Sequence, residues 1–197
     1  EFGNLIGKGH FSHVYLGSYH GKTSVAIKVI ERGGEELIST EIELLSELRN
    51  CPGTVQLLEV IRGPVTILVF EYLPSMASDH FFEHLSEKRL RFVLGSLLAA
   101  LAQAHSRGIV HRDVKIGNIA IGPHFESVKL LDWGCGAYIS DSMSQRAGSR
   151  SIRPPEMLFG HHNYGSGCDV WAVGVFILYV LTDGYIPWRE KTAGLVL

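Results

Sequence analysis

His111-Arg112-Asp113-Val114-Lys115-Ile116-Gly117-Asn118 and Asp132-Trp133-Gly134 flank a short two-stranded pattern, Ile119 to Ile121 and Val128 to Leu131, turning at Gly122-Pro123-His124. Antiparallel pairing about that turn sets Asn118 and Asp132 opposite each other at the open end of a hairpin. A carboxamide and a carboxylate gathered in this way are hard oxygen donors, suited to Mg²⁺ held together with substrate phosphates. Asp113, a short step before Asn118, then stands beside that metal as a candidate base.

Working back toward the start, Lys28 lies in Val25-Ala26-Ile27-Lys28, a strand whose period of two sets Ala26 and Lys28 on one face. A lysine in so apolar a strand must snorkel out or find a carboxylate, because an unpaired buried ammonium is costly. Residues 35–48 supply the carboxylate. Their apolar positions, 37, 38, 42, 44, 45 and 48, gather on one stripe of a helix, with Glu41 in the middle of that stripe between Leu37 and Leu45. Glu36, Glu43 and Glu47 fall on the opposite, wet face, so a Lys28–Glu41 pair satisfies both inward charges.

Gly7-Lys8-Gly9-His10-Phe11-Ser12-His13-Val14 joins two β-prone runs, and its glycines permit close backbone approach to an anion. The Rossmann fingerprint requires a helix after the glycines and the P-loop requires a closing Gly-Lys-Ser/Thr; neither is present. Further strand-like runs are Val55 to Ile61 and Val65 to Phe70, with Arg62-Gly63-Pro64 as their turn. After Pro74 the pattern becomes helical. Ser86 is the expected N-cap of a helix carrying Leu90, Val93, Leu94, Leu97, Leu98 and Leu101 on one face and ending at Gly108. A loop without periodicity fills 135–153, and an apolar helix from about Asp169 to Leu181 is expected to be buried.

The 197 residues are 46% hydrophobic and 19% charged, which is enough apolar surface for a core and argues against disorder. A net charge of −2 offers no overall attraction for nucleic acid or an anionic membrane, and no apolar run is long enough to span a bilayer. Cys51, Cys135 and Cys168 are odd in number and widely spaced, which suggests reduced intracellular thiols rather than a disulfide framework or a thiolate zinc site. The ten histidines are read as structural, not as zinc ligands. The opening Glu1-Phe2-Gly3 has no basic flank before an apolar core, so no signal peptide is expected.

The ordered set of glycine-rich loop, Val-Ala-Ile-Lys lysine, helix glutamate, His-Arg-Asp loop and Asp-Trp-Gly segment resembles the eukaryotic protein kinases. Within them the chain is similar to the casein kinase 2 catalytic (alpha) subunit. That likeness is carried by Trp133, Phe70-Glu71-Tyr72, His111-Arg112-Asp113-Val114-Lys115, and Gly148-Ser149-Arg150 leading into Pro154-Pro155-Glu156.

The resemblance implies an α+β, two-lobed fold: an antiparallel β-sheet N-lobe with one helix at 1–73, and a mainly helical C-lobe at 74–197 that is incomplete at its C-terminus. It implies ATP-dependent phosphoryl transfer to Ser/Thr, with ATP and Mg²⁺ as cofactors. Gly7, Lys8, Gly9 and Ser12 would cover the phosphates. Val14, Ala26, Phe70, Glu71, Leu73 and Ala120 would enclose the adenine, with Glu71 to Leu73 as the hinge. Lys28, held by Glu41, would bind phosphate; Asn118 and Asp132 would bind Mg²⁺; Asp113 would take the substrate hydroxyl proton while Lys115 stabilises the transferring group. Asp169 would steady the backbone of the His-Arg-Asp loop, and Arg112 could pair with a phosphate on the loop that follows.

Arg146, Arg150 and Arg153, with Ser149, reproduce the basic spacing that faces acidic substrate residues in casein kinase 2, although the lysine-rich helix start of that subunit is replaced by Arg32-Gly33-Gly34-Glu35-Glu36. Ile116 stands where a proline is common, and Gly117 loosens the approach to Asn118. The expected partners are protein substrates, acidic ones included, and a regulatory subunit, with no nucleic acid and no membrane. The expected compartment is intracellular, cytoplasm or nucleus. The alternative is a nucleotide-binding pseudokinase or scaffold module on the same fold.

Overall fold

The computed structural model describes residues 2–9, 12–21, 23–31 and 34–188. His10 and Phe11 of the glycine-rich loop, Arg32-Gly33, and the closing segment with Ala193 to Leu197 lie outside the described residues.

Five strands, β1 (Phe2–Lys8), β2 (Ser12–Tyr19), β3 (Thr23–Ile30), β4 (Leu57–Arg62) and β5 (Thr66–Glu71), form an antiparallel sheet in the order β1-β2-β3-β5-β4. The alternation of β3 buries Val25 and Ile27 on one face and leaves Ala26 and Lys28 on the other. Register fixes what surrounds them. Lys28 lies between Val14 of β2 and Leu68 of β5, and Ala26 between Leu16 and Phe70.

Helix α1 (Glu35–Glu47) packs on this sheet through Leu44 and Leu45, with Glu41 only 4% exposed among them. The expected stripe is narrower than its pattern suggested: Leu37 is 60% exposed, because the first turn of α1 projects beyond the core.

Two helices follow the sheet. The sequence pattern did not signal α2 (Ser78–Glu83), whose six residues are too few to display a period. In α3 (Glu87–His105) the Ser86 side chain accepts a hydrogen bond from the Arg89 N–H at 3.3 Å, as expected of an N-cap. Val93, Leu97 and Leu101 of α3 are buried, whereas Leu98 is 44% exposed and belongs to the outer flank.

Next come β6 (Ile109–Val110), the hairpin β7 (Ile119–Ile121) and β8 (Val128–Leu130), and β9 (Ala137–Tyr138), which pairs with β6. The hairpin register sets Ile119 opposite Leu130, so Asn118 faces Leu131 and not Asp132, one residue from the expected alignment. The Leu131 N–H donates to the Asn118 carbonyl at 2.8 Å, which still brings Asp132 out beside Asn118.

The loop expected at 135–153 thus contains a short strand, β9, whose partner β6 lies outside it, and α4 (Pro155–Leu158) follows it. The last helix, α5 (Gly167–Leu181), begins two residues earlier than expected. It buries Cys168, Asp169, Ala172, Val173, Val175, Phe176 and Val180, but Val170, Trp171 and Leu181 are exposed, so one flank only is clad. No helix among the described residues is long and apolar enough to cross a membrane.

The sheet and the helical part share one core that runs from Ile30, Leu44 and Leu68 through Leu97, Ile109, Leu130 and Trp133 to Phe176. Backbone bonds reinforce the join: the Leu130 N–H donates to Gly53 O at 2.7 Å and the Val55 N–H to Leu130 O at 3.1 Å. The connecting segment after β5 is tied down as well, with the Met76 N–H on Ile121 O at 2.9 Å and the Ile121 N–H on the Ser75 hydroxyl at 3.2 Å.

These faces give a direct test. Leu97→Ala, at 1% exposure, should cost about 2–5 kcal/mol, while Leu98→Ala should cost about 1 kcal/mol or less, both measured by urea denaturation at constant m-value.

Candidate active site

The site forms where β3, α1 and the segments around the β7–β8 hairpin converge. Lys28 Nζ donates to Glu41 Oε1 at 2.6 Å and to Asp132 Oδ1 at 2.8 Å. The Lys28 and Glu41 side chains are 11% and 5% exposed, whereas that of Asp132 is 50% exposed. Burial alone would lower the Lys28 pKa, but the Glu41 and Asp132 carboxylates outweigh it and push it up to about 12. Burial pushes the Glu41 carboxyl up, with Lys28 opposing it, and Asp132 ends below its ordinary value because Lys28 overcomes its own burial.

Gly134 sits close against this cluster. A Cβ on Gly134 would lie 3.3 Å from both Asp132 Oδ1 and Glu41 Oε2 and 3.5 Å from Lys28 Nζ.

The second half of the site is the loop that follows β6. Asp169, fully buried in α5, accepts hydrogen bonds from the His111 N–H at 2.9 Å and the Arg112 N–H at 2.7 Å, and His105 Nε2 lies 2.9 Å from it. Asp169 therefore steadies the loop, as the resemblance implied. His111 Nε2 faces the Leu131 carbonyl at 2.8 Å and its Nδ1 receives the Asp113 N–H at 3.2 Å, which fixes one neutral tautomer between the two hairpin flanks. The imidazole edge meets the buried Trp133 ring, with centroids 4.7 Å apart. Among the described residues Trp133 Nε1 has no hydrogen-bond partner.

Asp113 is 5% exposed and its carboxylate accepts three hydrogen bonds. Its Oδ2 accepts from Lys115 Nζ at 2.8 Å and Asn118 Nδ2 at 3.0 Å, and its Oδ1 from the Ser149 N–H at 2.8 Å. Although burial raises it, these bonds hold its carboxyl below the ordinary aspartate range. Lys115 Nζ also donates to Ser149 Oγ at 2.7 Å. Asn118 Nδ2 is occupied a second time, by the Asp113 carbonyl at 2.9 Å, which orients Asn118 Oδ1 as the atom left to face a cation.

Gly148 makes this seat possible. It adopts φ +67°, and a Cβ there would fall 1.9 Å from the Arg112 carbonyl.

The remaining expected residues divide. Gly7 pairs with Val14 and Lys8 with His13 in the β1–β2 ladder, and the Gly9 N–H donates to Ser12 O at 2.8 Å. Phe70 is buried behind Ala26, and Leu73 and Ala120 line a cavity of about 70 Å³ with Gly122, Glu126 and Lys129.

Two of the arginines singled out in the sequence have partners within the protein. Arg112, which the resemblance lets pair with a phosphate, donates through its guanidinium to the Cys135 carbonyl at 2.6 Å, the Gly136 carbonyl at 3.1 Å and the Tyr164 hydroxyl at 3.2 Å. Arg153, expected to face substrate, donates to the carbonyls of Ala147, Arg146 and Gly148, so it braces the loop from within. Arg146 and Arg150 are exposed. Below Lys115 and Ser149 opens a cavity of about 370 Å³ walled by Ile152, Phe176, Tyr179 and Ile186.

The sequence reading missed a clasp at the hinge. The Glu71 carboxylate accepts from Lys129 Nζ at 2.5 Å and from the Gln56 N–H at 2.8 Å, joining β5, β8 and the approach to β4. The alternation in Val128-Lys129-Leu130 was the available signal, since it turns Lys129 away from the core. The sequence also offered His80 of α2 and its C-cap residue His84, four residues apart, which with Glu83 bring ligand atoms within 4.8 Å of one another.

Hard oxygen donors from Asn118 and Asp132, beside a lysine already balanced by carboxylates, fit a Mg²⁺-bound polyphosphate. The profile of the protein kinase domain matches residues 1–195. A probable cyclin-dependent serine/threonine-protein kinase of Dictyostelium discoideum is 33% identical over 194 residues, covering 92% of this chain and 14% of that protein. The chain therefore spans a small part of the length of this curated relative.

The depressed Asp113 carboxyl makes a pH prediction. A carboxylate whose folded pKa is lowered contributes stability above its unfolded value, near pH 4, and loses it as pH falls through the folded value. Lys115→Met removes a donor and raises the folded value, so the contribution shrinks and disappears at higher pH. Melting temperatures taken between about pH 2.5 and 6 should show wild type and variant converging at the acid end and diverging above it.

Proposed function

Because this chain belongs to the protein kinase domain family, we propose that it transfers the γ-phosphoryl group of Mg·ATP to serine or threonine of protein substrates. The observation that carries this reading is the Lys115 ammonium bridging Asp113 Oδ2 and Ser149 Oγ, with Asn118 on the same carboxylate. Mg·ATP, when bound, supplies the phosphoryl group and the cation that shields its charge.

The roles of the residues follow from charge and reach. Asp113 orients the substrate hydroxyl and takes its proton as the new P–O bond forms and the bond to the ADP oxygen breaks. Lys115 balances negative charge on the phosphoryl oxygens, and Lys28, held by Glu41, does so at the phosphates left behind. Asn118 Oδ1 and the Asp132 carboxylate are the metal ligands. Gly7, Lys8, Gly9 and Ser12 close over the phosphates, while Val14, Ala26, Phe70, Leu73 and Ala120 hold the base against the backbone of the Glu71 to Leu73 hinge. The two lobes divide at about residue 73.

Replacing Asp113 by Asn should lower phosphotransfer about 10²–10⁴-fold with nucleotide binding retained. Undiminished turnover in Asp113→Asn, or Mg·ATP binding without transfer in the wild type, would replace the enzyme reading with that of a nucleotide-binding scaffold.

The preferred substrates are acidic, by likeness to the casein kinase 2 catalytic subunit. Support comes from Arg146 and Arg150 on the exposed side of a loop that Arg153 braces from behind. Burial, then the neighbouring Arg150 cation, lowers the Arg153 pKa, which places two cations side by side in this loop. Arg146→Glu with Arg150→Glu should cut kcat/KM for a peptide with acids flanking its serine at least about tenfold and leave a neutral peptide unchanged. Equal losses on both peptides would remove the acid preference.

A further inference from the structure

His80 and Glu83 of helix α2 and His84, which caps its C-terminus, are exposed, and nothing in the phosphoryl-transfer reading uses them. The two imidazoles stand one turn apart with ring centroids separated by 4.0 Å and planes tilted by 33°. Glu83 Oε2 lies 3.7 Å from His84 Nδ1, and one ligand atom from each of the three residues falls within 4.8 Å of the others.

The second observation concerns the tautomer. His84 Nδ1 lies 3.1 Å from the His80 carbonyl oxygen, which can only accept, so Nδ1 is the donor of this bond and Nε2 is the ring nitrogen left to act as a ligand. A backbone carbonyl on one ring nitrogen is the arrangement that orients the other as a metal ligand.

The backbone beneath is fixed. Phe81, between these residues, is 1% exposed, with its ring centroid 5.9 Å from Phe125 and 6.4 Å from Phe176, while Phe82 meets Tyr179 at 5.7 Å. Arg89 donates to the His84 carbonyl and its guanidinium carbon sits 4.8 Å from the centre of the Phe125 ring. Ligands on a turn held in this way close on an ion by side-chain rotation alone. Tetrahedral coordination at about 2.0–2.1 Å requires donor atoms only about 3.3 Å apart.

We propose that His80, Glu83 and His84 form a surface site for a divalent transition metal of the zinc class, separate from the Mg²⁺ site. Imidazole donors favour Zn²⁺, Ni²⁺ or Cu²⁺ over Mg²⁺, which requires oxygen ligands. Solvent completes the coordination, and the bound ion cross-links adjacent turns of α2 next to the segment that hangs on Ile121.

Calorimetric titration of the full chain with ZnCl₂ tests this. A single site is expected, weakened at least about tenfold by His80→Ala, His84→Ala or Glu83→Gln and unchanged by His161→Ala. Since all three ligands are exposed, the variants should keep the wild-type circular dichroism spectrum. Zn²⁺ added to ¹⁵N-histidine-labelled wild-type protein should shift the ring signals of His80 and His84, whereas Mg²⁺ should not. Absence of zinc binding to the wild type, binding undiminished in the His80→Ala/His84→Ala double variant, or ring shifts confined to other histidines would overturn the proposal.

Discussion

Lys28 takes a positive charge to a place where its side chain is only 11% exposed, and the arrangement of the active site depends on how that charge is met. One partner, Glu41, comes from α1 and the other, Asp132, from the segment after the β7–β8 hairpin, so one ammonium fixes a helix and a loop against a strand. A buried pair of this kind adds little net stability, because desolvation offsets most of the attraction. What it specifies is position: a displaced α1 would leave Glu41 without its cation and Lys28 with Asp132 as its one partner of the two. The three groups also sum to an excess of negative charge, which repels a bare triphosphate and welcomes one that arrives with its cation.

The neighbouring loop solves a different problem, that of holding a buried carboxylate still without neutralising it. Asp169 takes the backbone N–H groups of His111 and Arg112, His111 ties Leu131 to Asp113, and Asp113 then receives Lys115, Asn118 and Ser149. Every member is satisfied by the next, which is what allows an aspartate at 5% exposure to remain ionised. Arg112 draws the following segment into the same system through the Cys135 and Gly136 carbonyls and Tyr164. A phosphate competing for that guanidinium would have to displace all three.

How much of this was legible in the sequence depended on whether a constraint left a period or a charge conflict. Glu41 was readable because helical spacing placed a carboxylate among leucines, and Lys28 because a strand placed an ammonium among valines and isoleucines. The hairpin was readable from its turn, though only to within one residue of register. Asp169 was reached through family likeness, since an aspartate at the start of a helix looks like any first-turn acid. Other features left no pattern. Two-residue strands such as β6 and β9 have no alternation to detect, α2 is shorter than two turns, and the carbonyls that occupy Arg112 and Arg153 belong to the backbone and carry no side-chain signature. The Glu71–Lys129 clasp joins positions 58 residues apart, where sequence offers charges on both sides but not which of them meet.

The contacts of the site also differ in the length of chain they must close, and this orders the assembly of the protein. Lys115 and Asp113 are two residues apart, and Ser149 reaches Asp113 across 36, all within the helical part. The Lys28–Asp132 contact spans 104 residues. Closing a loop costs entropy that rises with its length, and long-range contacts form only after the segments they join have taken shape. The seat of Asp113 can therefore organise inside the later half of the chain while the Lys28 cluster waits for both halves to dock. Synthesis delivers them in the opposite order: β3 emerges first and must carry Lys28 uncovered by Asp132 until the chain beyond the hairpin has been made.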